Sequence, residues 1–248
     1  MLNLSDLKIV FFDIGNVFVS DDPSGCFAYR CLYDRLLTEG HNLTPAEFFE
    51  KRTEHVQNGG SLWTFVAQYV SEQEFKTWQK DVRAKMYTQW ATLSPEIELM
   101  TAVPIQLSPL YRLGIIANQP GEVENVLAER GILDYFEIRA ISDVLNLHKP
   151  NPAFYQWALD AAGVYPHEAL MVGDRIDNDV RPAKSLGMQT AWLRLGHEGR
   201  GWKPGNEFEE HYAASIALAS SSDVPPDNPA DEPDIVIHSA EELVKALV

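Results

Sequence analysis

Cysteine is scarce in this 248-residue sequence: Cys26 and Cys31 are the only two, five positions apart. That spacing fits neither a zinc site nor a disulfide framework, so a reducing, cytoplasmic setting is the expectation. Positive charge is also short. Twenty Lys and Arg stand against thirty-six Asp and Glu, giving a formal net charge of −16. Such a surface repels phosphate backbones and anionic headgroups, so neither nucleic acid nor a membrane is an expected partner. No apolar run approaches the roughly 20 residues of a membrane span. The short apolar stretch at the amino terminus is interrupted by Asp6 and Lys8 and has no basic region before it, so no signal peptide is expected. Internal repeats are missing too, which sets solenoids aside.

What is present is an alternation of short apolar runs with amphipathic helical stretches, the pattern of a parallel sheet flanked by helices. The predicted strands are Ile9–Phe12, Leu113–Ile116, Ile138–Ile141, Ala169–Val172, Thr190–Leu193 and Ile235–Ile237. Most are short and apolar, as strands covered on both faces are. From about residue 24 to 90 the strand pattern stops. "TPAE" at Thr44–Glu47 and "SEQE" at Ser71–Glu74 read as capping boxes opening helices. Phe27, Leu32, Phe48, Phe49, Trp63, Phe65, Phe75 and Trp78 supply apolar packing for a small bundle. This much helix between the first two strands exceeds a simple crossover and predicts an inserted helical domain over residues 21–93. "SPEIE" at Ser94–Glu98 reads as the N-cap that restarts the core. The core is therefore expected over 1–20 and 94–248. Within it, residues 196–233 form a loop-rich insertion broken by a helix near Glu207–Ala219.

Four stations fall at or just beyond the carboxyl ends of predicted strands, where open α/β sheets place ligands. They are Asp13, "ANQP" at Ala117–Pro120, "HKPNP" at His148–Pro152 and "VGDRIDNDV" at Val172–Val180. Each alone is ordinary: a turn acid, a solvated lysine, a Gly-Asp turn. Their order and separation together are not.

The set resembles the haloacid dehalogenase superfamily, whose members are mostly phosphoryl-transfer enzymes. The resemblance implies a Rossmann-like, mostly parallel core with a helical cap inserted after the first motif. It makes Asp13 the nucleophile, Lys149 in "KPNPAFY" the motif III lysine, and Asp174 and Asp179 in "GDRIDND" the acidic motif IV. A carboxylate attacking a phosphate ester needs a cation to screen two negative partners. Asp13, Asp174 and Asp179 suit a hard, oxygen-preferring ion, so Mg²⁺ is the expected cofactor. The family position of Gly15 adds a backbone carbonyl to that metal. Exposed amides at Gly15–Asn16 and Asn118–Gln119 are expected to cradle phosphate oxygens, much as helix N-termini do, which makes Asn16, Asn118 and Gln119 the predicted phosphate-binding residues. The implied activity is hydrolysis of a small phosphorylated metabolite through a phospho-aspartyl intermediate on Asp13.

Two positions depart from the family pattern. Most family phosphatases carry a second aspartate two residues after the nucleophile, which protonates the leaving oxygen and then activates water; here it is Gly15. Ala117 stands where a Ser or Thr hydroxyl usually meets the phosphate. These departures keep two alternatives open: a family member that binds without turnover, and a metal-independent 2-haloacid dehalogenase, whose halide leaving group needs no proton.

Overall fold

The computed structural model describes residues 2–248. Six strands form a single sheet: β1 (Ile9–Phe12), β2 (Arg112–Ala117), β3 (Phe136–Ile141), β4 (Ala169–Gly173), β5 (Gln189–Leu193) and β6 (Ile235–Ile237). Their order is β3-β2-β1-β4-β5-β6, and every neighbouring pair runs parallel. β1 and β4 are buried along their whole length, as strands covered on both faces must be. The predicted strands thus form, each within two residues of its expected ends.

The chain divides into two compact units. The first, residues 1–19, 96–195 and 224–248, contains the sheet. On one side, Phe11, Ile116, Phe154, Tyr155, Leu159 and Met171 share a buried core. The helix Pro152–Ala162 that supplies three of these starts on an Asn151 cap, whose side chain accepts from the Ala153 amide, with Pro152 at its first position. It ends at Gly163, which takes a φ of 65°.

The second unit, residues 20–95 and 196–223, is helical. Thr44 and Glu47 make the complete capping box expected at Pro45–Gln57. At Ser71 the box is incomplete: the hydroxyl donates to the Glu74 carboxylate instead of accepting from its amide. Ser94 likewise closes the short helix Trp90–Leu93 and does not open the next one, which is capped by Ile97. Leu32, Phe48, Phe49 and Phe65 lie at the centre of this unit, with Trp63, Phe75 and Trp78 half-buried around them.

One boundary differs from the sequence expectation. Residues 196–223 belong to the helical unit and not to a loop-rich insertion of the core. The reason is the helix Glu207–Leu218, which places Phe208, Tyr212 and Ile216 in the aromatic cluster of that unit. Two buried arginines secure the segment. Arg200 donates from Nε and Nη2 to the two oxygens of Asp22, both at 2.9 Å, and is itself only 3% exposed. Arg52, 5% exposed, donates from Nη1 to the Ser215 carbonyl, the Ser215 hydroxyl and the Ala219 carbonyl. It thereby meets the negative end of the helix with a positive charge. The remainder, 224–234, returns to the sheet unit and is pinned by ion pairs Arg181–Asp227, Arg181–Asp231 and Lys184–Asp234. Among the described residues no helix is long and apolar enough to cross a membrane.

Candidate active site

The strand order sets the location. β1, β2 and β3 step outward one way, and the chain then returns to place β4 on the other side of β1. The crevice outside the carboxyl ends of β1 and β4 is therefore the topological switch point of the sheet. Asp13 directly follows β1 and Asp174 directly follows β4. The Asp13 amide donates to the Val172 carbonyl at 2.9 Å, which keeps the two strand ends in register up to the first carboxylate.

Lys149 arrives between them. Its Nζ lies 2.8 Å from Asp13 Oδ1 and 2.6 Å from Asp179 Oδ1. The ammonium and Asp179 are almost fully enclosed, whereas the Asp13 side chain keeps 14% of its surface open. Oxygens of Asp13, Asp174 and Asp179 all lie within 4.8 Å of one another. Two carboxylates thus flank one ammonium and a third lies beside them, and burial together with this excess of negative charge sets both titrations. Burial works against the Lys149 charge, but Asp13 and Asp179 outweigh it, and the lysine is held above its ordinary range. Burial raises the Asp179 carboxyl; Asp13 and Asp174 add to this and Lys149 opposes it, leaving it pushed up to about 7.

Several residues position these groups. Gly173 is obligatory: a Cβ there would sit 2.3 Å from Asp179 Cγ. The Arg175 amide donates to Asp179 Oδ2 at 3.0 Å, and the buried Tyr155 hydroxyl donates to the Asn178 carbonyl. Trp192 Nε1 donates to the Asp174 carbonyl at 2.8 Å. The sequence reading missed Tyr155, Gly173 and Trp192, because an apolar helix, a common turn and a strand aromatic explain them equally well. The Arg175 guanidinium pairs with Asp177 at 2.8 and 2.5 Å. His148 is exposed.

Two of the predicted phosphate-binding residues, Asn16 and Asn118, have their side chains engaged otherwise. Asn118 Nδ2 donates to the Lys149 carbonyl at 3.0 Å and its Oδ1 accepts from the Lys149 amide at 2.8 Å. A primary amide facing the N–H and C=O of one residue matches donor to acceptor at both ends, so Asn118 clamps the lysine loop. Asn16, in the left-handed region at φ 53°, donates from Nδ2 to Asp174 Oδ2 at 3.1 Å, while its amide donates to the Val19 carbonyl. Gln119 is tied through its carbonyl, which accepts from Ser142 Oγ and the Asp143 amide. The amides of Gly15 and Gln119 donate to no protein acceptor among the described hydrogen bonds.

Sheet order, switch-point carboxylates and an enclosed lysine define an α/β enzyme scaffold with an acidic, lysine-bridged centre. Residues 42–193, more than half the chain, match the family model of haloacid dehalogenase-like hydrolases. The match includes Lys149, Asp174 and Asp179 and begins beyond Asp13 and Gly15. The chain is 30% identical over 197 residues to a glyceraldehyde 3-phosphate phosphatase of Pyrococcus abyssi, covering 77% of this chain and 82% of that one. In fold it resembles a haloacid dehalogenase-like hydrolase of Streptococcus pneumoniae, with a TM-score of 0.69, 16% identity and coverage of 98% and 100% of the two chains. It also resembles a 2-haloacid dehalogenase of Pseudomonas syringae, with a TM-score of 0.55, 21% identity and coverage of 97% and 98%. The chain belongs to the haloacid dehalogenase-like hydrolase family.

Proposed function

We propose that the protein is a Mg²⁺-dependent phosphoric monoester hydrolase acting on a small phosphorylated metabolite, with Asp13 as nucleophile. The observation that carries this reading is the shared ammonium of Lys149, 2.8 Å from Asp13 and 2.6 Å from Asp179, beside a third carboxylate at the switch point. The kinship with a glyceraldehyde 3-phosphate phosphatase adds weight to phosphoric monoester hydrolysis as the reaction class.

An all-oxygen set of three acids fits Mg²⁺ by its chemistry. Asp13, Asp174 and Asp179, with the Gly15 carbonyl, would hold the ion, which when bound supplies charge neutralisation for the entering phosphate. The protein's own groups do the rest. Asp13 Oδ2, the oxygen not paired with Lys149, attacks phosphorus, and Lys149 offsets the charge of the transferring group. The amides of Gly15 and Gln119 are the donors left for phosphate oxygens, while the Asn16 and Asn118 side chains hold Asp174 and the lysine loop. Water then hydrolyses the aspartyl phosphate and restores the carboxylate.

The test is phosphate release from a panel of phosphomonoesters with Mg²⁺ and with EDTA, beside Asp13→Asn. Metal-dependent release abolished by the substitution is the expected result. Absence of release from every donor would leave a binding protein, and halide release from 2-haloacids in EDTA would point to a dehalogenase.

A further inference from the structure

Phosphoryl transfer to Asp13 breaks the bond between phosphorus and the leaving oxygen, and that oxygen departs with the electron pair. Whether a proton meets it depends on which ionisable groups the strand-end loops provide. The loop after β1 provides none: residues 14–20 read Ile-Gly-Asn-Val-Phe-Val-Ser. Ile14, Val17, Phe18 and Val19 are completely buried, and the Asn16 amide group is bound to Asp174. The loop after β2, Ala117–Pro120, provides none either, and its Asn118 is bound to Lys149. After β4, Arg175 is paired with Asp177 and Asp179 with Lys149. Lys149 already donates to two carboxylates. The loop after β3 carries Asp143 and His148, both exposed, and the buried Tyr155 hydroxyl, within electrostatic reach of Asp13, donates to the Asn178 carbonyl. Each ionisable side chain in these loops after β1, β2 and β4 is thus already held in a hydrogen bond or ion pair.

Resting on the phosphatase reading above, we infer that the substrates are phosphate donors whose leaving group departs as a stabilised anion, acyl phosphates foremost and aryl phosphates next. Carboxylic acids ionise near pH 4 and phenols near pH 10, so a carboxylate or phenolate leaves without a proton. An alkoxide, far more basic than either, does not. In the first step an Asp13 oxygen bonds to phosphorus, the leaving oxygen takes the bonding pair, and no protein proton moves. In the second, water attacks phosphorus, its proton passes to solvent, and the pair of the breaking bond returns to the Asp13 carboxylate. The same lack of a proton-transfer group slows this second step, so with a good donor the aspartyl phosphate accumulates.

General acid–base assistance is worth typically about 10²–10⁴-fold, which sets the expected effect. Rapid-quench kinetics with Mg²⁺ would compare acetyl phosphate, 4-nitrophenyl phosphate, phenyl phosphate and ethyl phosphate. The expected result is a burst of about one product per enzyme with the first two and a common kcat thereafter. A steep fall in kcat/KM with leaving-group basicity should leave ethyl phosphate about 10²-fold or more below phenyl phosphate. Gly15→Asp should narrow that gap; if the variant does not fold, the slope of an aryl phosphate series with the unaltered protein decides alone. Ethyl phosphate turning over within a few-fold of phenyl phosphate would overturn the inference and leave the phosphatase reading intact, since a donor outside these loops would then be supplying the proton. No phosphate release or Asp13 labelling from any donor would overturn both.

Discussion

Asp179→Asn tests the electrostatics of the acidic centre separately from catalysis. In the metal-free protein the Asp179 carboxyl is raised from an ordinary value of 3.8 to about 7, by burial first and by Asp13 and Asp174 second. At about 1.4 kcal/mol per pH unit, keeping it ionised above pH 7 costs the folded state up to about 4 kcal/mol. The folded protein holds this proton more tightly than the unfolded chain, so metal-free stability falls as pH rises from about 4 to about 7. Asparagine keeps the shape and the bond from the Arg175 amide, gives up the bond from Lys149, toward which its Nδ2 would turn, and cannot ionise. Without metal at pH 8, Asp179→Asn should therefore be more stable than the parent, by about 1–4 kcal/mol once relaxation is allowed for. That corresponds to a rise in Tm of about 2–4 °C per kcal/mol for a chain of this size. The difference should shrink towards pH 4. Mg²⁺ at a hundredfold its Kd should stabilise the parent by about 2.7 kcal/mol and the variant far less. Thermal melts in EDTA and in Mg²⁺ at pH 5 and pH 8 make the measurement. A variant that melts lower than the parent at pH 8 in EDTA would refute the reasoning, since the Lys149–Asp179 pair would then be net stabilising as it stands.

Two further perturbations address the positioning groups. Asn118→Ala removes both hydrogen bonds to the Lys149 peptide. At about 0.5–1.5 kcal/mol each, it should lower stability by roughly 1–3 kcal/mol and lower kcat more than it raises KM; an unchanged kcat would show that the lysine loop holds its place without the clamp. Arg52→Ala removes a buried donor that serves Ser215 and Ala219, and hydrogen bonds to charged groups contribute about 1.5–3 kcal/mol each. Hydrogen exchange in 207–218 should accelerate at least tenfold while β1 and β4 stay protected, and equal acceleration in the strands would contradict the separate anchoring of that helix.

The strands were legible because buried parallel strands carry a mostly apolar signal, and all six form where it stands, with Arg139 in β3 the one charged interruption of the predicted runs. Asp13, Lys149, Asp174 and Asp179 were legible as carboxylates and a lysine at strand ends, and the structure brings them together. Asn16 and Asn118 show where this kind of reading stops. An amide at a strand end suits a phosphate oxygen or a peptide group equally well, and only coordinates reveal that these two face Asp174 and Lys149. The helix Glu207–Leu218 was legible as a helix, with Phe208, Tyr212 and Ile216 four residues apart on one face. Its destination was not, because nothing local to a Gly- and Pro-rich stretch tells which distant aromatic cluster will cover that face.

The helical unit also has a history written into its order of synthesis. Its first segment, residues 20–95, leaves the ribosome well before its second, because the 100 residues Glu96–Leu195 come between them. During that interval Arg52 has no Ser215 or Ala219 carbonyl to meet, Asp22 has no Arg200, and Phe48 and Phe49 lack the cover of Phe208. An N-terminal fragment ending near residue 95 would retain the same vacancies and expose aromatic surface. The unit is a late-maturing body whose last structural parts are translated after every active-site residue identified above.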